Sequence, residues 1–437
     1  MAARGDSCQP VGMRNLTARG AARLAAGLVG LLLSAALHRA GAGPAIGLTL
    51  TTNAAPAGLV EVTGVEAGEF NPRLWQAGTL NFVPELRSPL LAPRDGQFRN
   101  IYAPSAVETP GGYRLFYGAW DGVPTPNDRI YSTTTDARFQ DFANRHLIIS
   151  PGPWEHVCNV NAVGLASGGF ALFATVYPVG HLNKPARFQS DATGTNWNGR
   201  QGEPYTVRAE DLVAVQGYAF ASADINGMNV WLRESGRDHL YFGDFANPSG
   251  TFRATSADAR HYTFEAKVFR GPGFVNDVKK FRVAGADYYL MGLHENGRRL
   301  WQTLSTNGLA FPPARELLTN FDAADAYIVA LGWVVRGPQE SPGRKLLGVL
   351  YGAGPVATLD HNSIYARWLQ KRLVLVANDG TRLPASRALG PDRQLLALPG
   401  AAPVTGRFEV YAEDGVTLLG QSAALTVRSG QSYRLQP

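Results

Sequence analysis

NIYAPSAVETPGGYRLFYGAWDG (Asn100 to Gly122), continuing as DRIYSTTTDARFQDF (Asp128 to Phe142), is the stretch that decides the fold. A loop ending in Asn leads into a short apolar strand. A Gly-Gly turn then opens an aromatic strand, and a strand rich in Ser and Thr follows. The same order returns four more times. NVNAVGLASGGFALFATVY (Asn159 to Tyr177) is followed by ARFQSDATGTNW, and INGMNVWLRESGRDHLYFGDF (Ile225 to Phe245) by GTFRATSADARHYTF. VNDVKKFRVAGADYYLMGLH (Val275 to His294) is followed by RLWQTLSTNGLAF, and DAYIVALGWVVRGPQESPGRKLLGVLYGAG (Asp325 to Gly354) by HNSIYARWL. A period of roughly 50 to 70 residues suits a four-stranded propeller blade. The copies predict an all-β chain with a five-bladed β-propeller.

Local patterning agrees. Tyr113, Leu115 and Tyr117 alternate with Arg114 and Phe116, the period of a strand. No long stretch after Leu48 sustains a helical apolar period, and 49 Gly with 28 Pro would interrupt helices repeatedly.

Outward from the repeats, the chain divides into four parts. Residues 1 to 42 read as a secretory signal peptide: Arg14, Arg19 and Arg23 precede the apolar LAAGLVGLLLSAAL, and Ala40-Gly41-Ala42 supplies small residues for cleavage. The apolar run is shorter than the about 20 residues of a membrane span. The expectation is a secreted or periplasmic protein with no membrane association after cleavage. Residues 43 to 98, with several Pro and Gly, form a leading segment expected to close the ring, and the blades occupy 99 to 370. From 371 to 437, short alternating strands between Asp-Gly and Ser-Gly turns predict a small C-terminal β-sandwich.

Charge and cysteine content narrow the function. Of the formal net charge of +6 in 437 residues, the leader's five arginines against Asp6 account for +4, leaving the mature chain near +2. Nucleic-acid binding needs a concentrated basic face, so no nucleic-acid partner is expected. Cys8 leaves with the leader and Cys158 remains alone, which rules out an intrachain disulfide framework in the mature chain. Cys158 reads as a small buried strand-edge residue. No Cys-x-x-Cys or His-Glu-x-x-His spacing marks zinc.

In a propeller the first strand of each blade lines the central channel, so polar residues that open the repeats converge. Those openings supply Arg99 and Asn100, then Glu155, His156, Asn159 and Asn161, then Asp224, Asn226 and Asn229, then Asn276 and Asp277, then Asp322 and Asp325. Recurring Asp and Asn there either pin turns through side-chain hydrogen bonds or face a substrate.

The repeats resemble the five-bladed propeller glycosidases, the group holding the family 43 arabinanases and xylosidases and the related fructosidases. YAPSAV, GGYRLFYGAW and DRIYSTTTD are similar to one blade spelling of that group, and VNDVKKFRVAGADYYLM to another. The resemblance implies a glycoside hydrolase that cleaves a cell-wall polysaccharide, pentose or furanose units favoured, with a carbohydrate as its partner. Such enzymes use paired carboxyl groups held in different protonation states. It makes Asp277 the first catalytic candidate, followed by Asp224, Asp325 and Glu155. Arg99, Asn100, His156, Asn161, His294 and Trp120 are candidates for substrate binding. No cofactor is required, although the resemblance allows a channel-bound divalent cation such as calcium. The chain departs from the group at Ala103 to Ser105, where the familiar Asp-Pro is absent, and it lacks the Gly-x-x-Glu-x-Pro acid motif. The alternatives are a non-catalytic carbohydrate-binding propeller and a cell-surface protein-interaction propeller.

Overall fold

The computed structural model of the chain describes residues 44–94, 100–123, 127–179, 182–226, 230–248, 250–337 and 343–436. The expected signal peptide, Arg99 and Asn229 lie outside the described residues. No described helix is long and apolar enough to cross a membrane.

Strand is nearly the only regular secondary structure of the described residues. Five sheets follow one another in sequence, each starting from an inner strand: Ile101–Thr109, Val157–Gly164, Val230–Glu234, Phe274–Val283 and Tyr327–Arg336. From each inner strand the sheet grows outward through antiparallel neighbours, as in Gly112–Ala119, Arg129–Thr135 and Phe142–Ser150 of the first sheet. The five inner strands touch in a closed cycle, the fifth returning to the first. Their closeness is visible at Gly332, where an added Cβ would fall 2.0 Å from the carbonyl oxygen of Pro104 on the first inner strand.

An apolar layer fills the space between each sheet and the next. Between the first and second sheets, Val160, Leu172, Phe188 and Trp197 have no exposed surface. Each such side chain contributes roughly 1.5–3 kcal/mol to folding. Because both faces are covered, Gly112–Ala119 is buried at every position. The alternation of Tyr113 and Arg114 is therefore not an inside-outside pattern. Arg114 is held within the layer over the Phe116 and Phe170 rings, and its guanidinium donates to Ser132 Oγ and the Gly194 carbonyl.

Inner strands present one unpaired edge to the next sheet, and their backbone groups need partners. Side chains in the first half of a neighbouring inner strand supply them. Asn276 Oδ1 accepts from Leu331 N at 2.9 Å, Asp277 Oδ2 from Trp333 N at 2.9 Å, and Ser105 Oγ from Ala162 N at 2.9 Å. Recurrent Asn and Asp at the strand openings thus serve the architecture first.

The fifth sheet is completed by Phe82–Pro84, which pairs with Ser363–Leu369. Buried Glu85 fixes this junction: it pairs with Arg87 at 2.7 Å and accepts from Trp368 Nε1 at 2.8 Å and Gly390 N at 2.6 Å. The rest of the leading segment goes elsewhere. Gly47–Ala54 and Leu59–Thr63 both pair with Gln431–Gln436 in a sheet that also holds Arg393–Ala397. A second sheet, built on Arg372–Ala377 and Val404–Tyr411, shares with it an apolar cluster that includes Val60, Leu375, Phe408 and Tyr433. The C-terminal β layer is therefore made from both ends of the described chain, a pairing that turn spacing alone did not indicate. One short helix, Pro72–Ala77, is capped by Asn71 and ends at Gly78 with φ 81°.

Candidate active site at the mouth of the ring

Four of the inner strands lose regular register at the same end. The slips fall between Tyr102 and Ser105, Cys158 and Asn161, Val275 and Asp277, and Ile328 and Ala330. Bulges re-aim side chains, and here two bulge residues, Ala103 and Asn159, take left-handed φ of 51° and 53°. Above the slips lies a cavity of about 180 Å3 with walls from all five repeats. Tyr102, Asp128, His156, Cys158 and Asn159 form one side; Asn226, Asn276, His294, Asn296 and Ala330 form the other. Phe245 and Leu359, 41% and 46% exposed, make an apolar rim, with Phe245 packed edge-on against Phe274.

Each polar wall group has a defined state. Tyr102 OH donates to Asp128 Oδ2 at 2.9 Å, while Asp128 Oδ1 is buried with no hydrogen-bond partner. Burial raises the Asp128 carboxyl to about 6, against the opposing effects of His156 and the Tyr102 hydrogen bond. Burial also pushes the Cys158 thiol well up, and the adjacent Asp128 adds to the shift. Asn276 Nδ2 lies 2.7 Å from His294 Nδ1; with Asn276 Oδ1 committed to Leu331 N, the amide donates and the ring carries its proton on Nε2. Burial lowers His294 to about 4, so it is neutral in ordinary buffers.

A relay stands behind His156. Asn183 donates to Asp224 Oδ1 from Nδ2 at 2.6 Å and from its backbone at 2.8 Å, which turns Asn183 Oδ1 toward His156 Nε2 at 3.1 Å. His156 stacks on Tyr177, whose hydroxyl is raised by desolvation and by the nearby Glu155 and Asp224 charges. Glu155, His156 and Asp224, named from sequence, are thus gathered on one flank of the mouth.

The other sequence candidates are placed differently. Asp277 and Asn161 lie beneath the cavity, Asn161 Nδ2 donating to Asp277 Oδ1 at 3.2 Å across the channel. Asp277 also holds Lys279 at 3.1 Å and Trp333 N, so both of its oxygens are engaged. Asn100 is fully buried, its Oδ1 accepting from Asn362 N at 3.0 Å, and its carbonyl takes the backbone N–H of the buried Trp120. Asp325 is not at the mouth. It is buried beside a separate cavity of about 210 Å3 next to the fifth sheet, accepting from Phe321 N, Asp322 N and Tyr351 OH with Arg367 at 3.5 Å.

Sequence reading missed Asp128 and Tyr102. The repeat openings point to residues that start first strands, whereas Asp128 directly precedes a third strand, Arg129–Thr135. Its carbonyl accepts from Val157 N at 3.2 Å, which ties it to the neighbouring inner strand. The signal was present in the third-strand spelling Asp-Arg-Ile-Tyr, shortly after the Pro-Thr-Pro of residues 124–126.

No protein-family model matches the sequence, and no curated protein matches it. Solved structures do. A glycosyl hydrolase from Bacteroides ovatus is 12% identical, with 69% of this chain and 96% of that one covered at a TM-score of 0.46. The catalytic domain of the Coprinopsis cinerea family 62 α-L-arabinofuranosidase is 13% identical, covering 67% and 97% at 0.45. A Podospora anserina α-L-arabinofuranosidase in complex with cellotriose is 9% identical, covering 72% and 96% at 0.43. At these values the activity has to be read from the site itself.

Proposed function

We propose that this chain is a secreted glycoside hydrolase, a five-bladed β-propeller with a small C-terminal β-sandwich, that receives a sugar unit at the mouth of the ring. The observation that carries the reading is the mouth cavity. Amides, a neutral histidine and a carboxylate from different repeats converge under an apolar rim, the mixture that a sugar's hydroxyls and C–H faces require. The resemblance of the repeats to propeller glycosidases favours pentose or furanose units as that sugar.

Hydrolysis needs two carboxyl groups about the scissile bond. Asp128 is the carboxylate in the cavity wall, and Glu155 and Asp224 stand on the flank beside His156. A second reading, saccharide binding without hydrolysis, is favoured by one observation: among the described residues Asp128 is the only carboxylate lining the cavity.

The test offers the purified chain arabinan, xylan, fructan and a mycobacterial-type arabinan, measuring released sugar and, by calorimetry, binding of the derived oligosaccharides. Sugar release that falls by about 100-fold or more in Asp128→Asn supports hydrolysis. Binding without release establishes the second reading. Neither binding nor release on any of them overturns both.

A further inference from the structure

The geometry points to a zinc site at the mouth of the ring, made by Asp128, His156 and Cys158 with a fourth position open to the cavity. One donor atom from each of the three lies within 4.8 Å of the others. Tetrahedral zinc with a sulfur and two N/O ligands places its donors about 3.3 to 3.6 Å apart, so a contraction of about 1 Å assembles the site. Side-chain rotation on strands already irregular at this end supplies it.

Each donor is prepared by its neighbours. Tyr102 OH occupies Asp128 Oδ2 at 2.9 Å and leaves Oδ1 buried without a partner. Asn183 Oδ1, oriented by Asp224, accepts the Nε2 proton of His156 at 3.1 Å and leaves Nδ1 with its lone pair. A carboxylate, amide and histidine in series is the outer arrangement that fixes the tautomer and direction of a metal-bound imidazole. Cys158 is 3% exposed and borders the same cavity.

Charge balance agrees. Zinc binding releases the Cys158 proton to solvent and forms a Zn–S bond. Zinc, thiolate, carboxylate and neutral imidazole then sum to zero, which suits a buried site. Calcium does not fit these donors, because it takes six to eight oxygens and has no use for a thiolate or an imidazole. The open position would hold water or a sugar hydroxyl. This inference goes beyond the saccharide reading and does not depend on it.

The test uses the full chain, stripped with chelator, dialysed and titrated with zinc, calcium or cobalt(II). Expected are one zinc per chain by elemental analysis, release of protons on zinc addition, and a near-ultraviolet thiolate-to-cobalt charge-transfer band. Cys158→Ser should abolish the band and Cys8→Ser should keep it. Asn183→Leu, which leaves all three ligands in place, should weaken zinc about 10- to 100-fold. Wild-type cobalt protein without the thiolate band would refute the site, whatever the variants do. So would zinc content equal in wild type and Cys158→Ser, or calcium binding in place of zinc. Zinc retained without saccharide binding strikes only the functional reading, and saccharide binding retained without zinc strikes only this one.

Discussion

Two cavities of similar size, about 180 Å3 at the ring mouth and about 210 Å3 beside the fifth sheet, each hold a carboxylate, and the two carboxylates live differently. Asp325 is surrounded by donors: two backbone N–H groups, the Tyr351 hydroxyl and the Arg367 guanidinium. Asp128 has one hydroxyl on one oxygen and nothing on the other. Burial without compensation is expensive, which makes such a group beside a cavity a candidate for use by a ligand. Saturation separates Asp325, held on every side by the fold, from Asp128, the acid assigned to the proposed site.

That contrast has measurable consequences. The largest is in stability: Asp325→Ala should cost about 3–5 kcal/mol in urea unfolding, since it leaves two backbone donors and the Tyr351 hydroxyl without their acceptor and Arg367 without its counter-charge. Asp128→Asn, measured on metal-free protein, should change stability by no more than about 1 kcal/mol, and a loss comparable to that at Asp325 would erase the distinction.

Next in size is pH. His294 is held near 4 in the folded chain against 6.5 for the free residue, so the unfolded state binds more protons between those values. Its contribution is complete above pH 6.5 and is lost as pH falls toward 4, about 3 kcal/mol over that window. Unfolding curves at several pH values should show this slope, and His294→Asn should flatten it; an unchanged slope would mean that the mouth is not dry around this ring.

The smallest effect concerns the rim. Phe245→Ala should leave folding nearly untouched while weakening saccharide binding about 2- to 10-fold by calorimetry, the scale of one aromatic contact. Undiminished affinity would move the sugar away from the rim.

The sequence was most transparent where structure is local. Five repeats, their strand order and their aromatic second strands could be read because each strand's period and each turn's Gly are written in adjacent residues. Partners distant in sequence could not. Nothing in Gly47–Ala54 announces Gln431–Gln436 as its neighbour, since any alternating strand offers the same hydrogen-bonding edge. The site shows the same boundary. His156, Glu155 and Asp224 were visible as openings of repeats, but Asp277, the foremost candidate, has the identical local appearance and turns out to be held by Lys279 and Trp333 N. Cys158 could be read as buried; that Asp128 and His156 stand around it depends on where two sheets meet.

The pairing of residues near 50 with residues near 433, and of Phe82–Pro84 with Ser363–Leu369, imposes an order of events on the living chain. During synthesis the first-made strands must wait, with open edges, for partners made hundreds of residues later, and such distant pairings form slowly. Neither the ring nor the layer beside it can be finished on the ribosome until nearly everything described here has emerged. Until those partners arrive the early strands keep open edges, the state in which a chain is most exposed to aggregation.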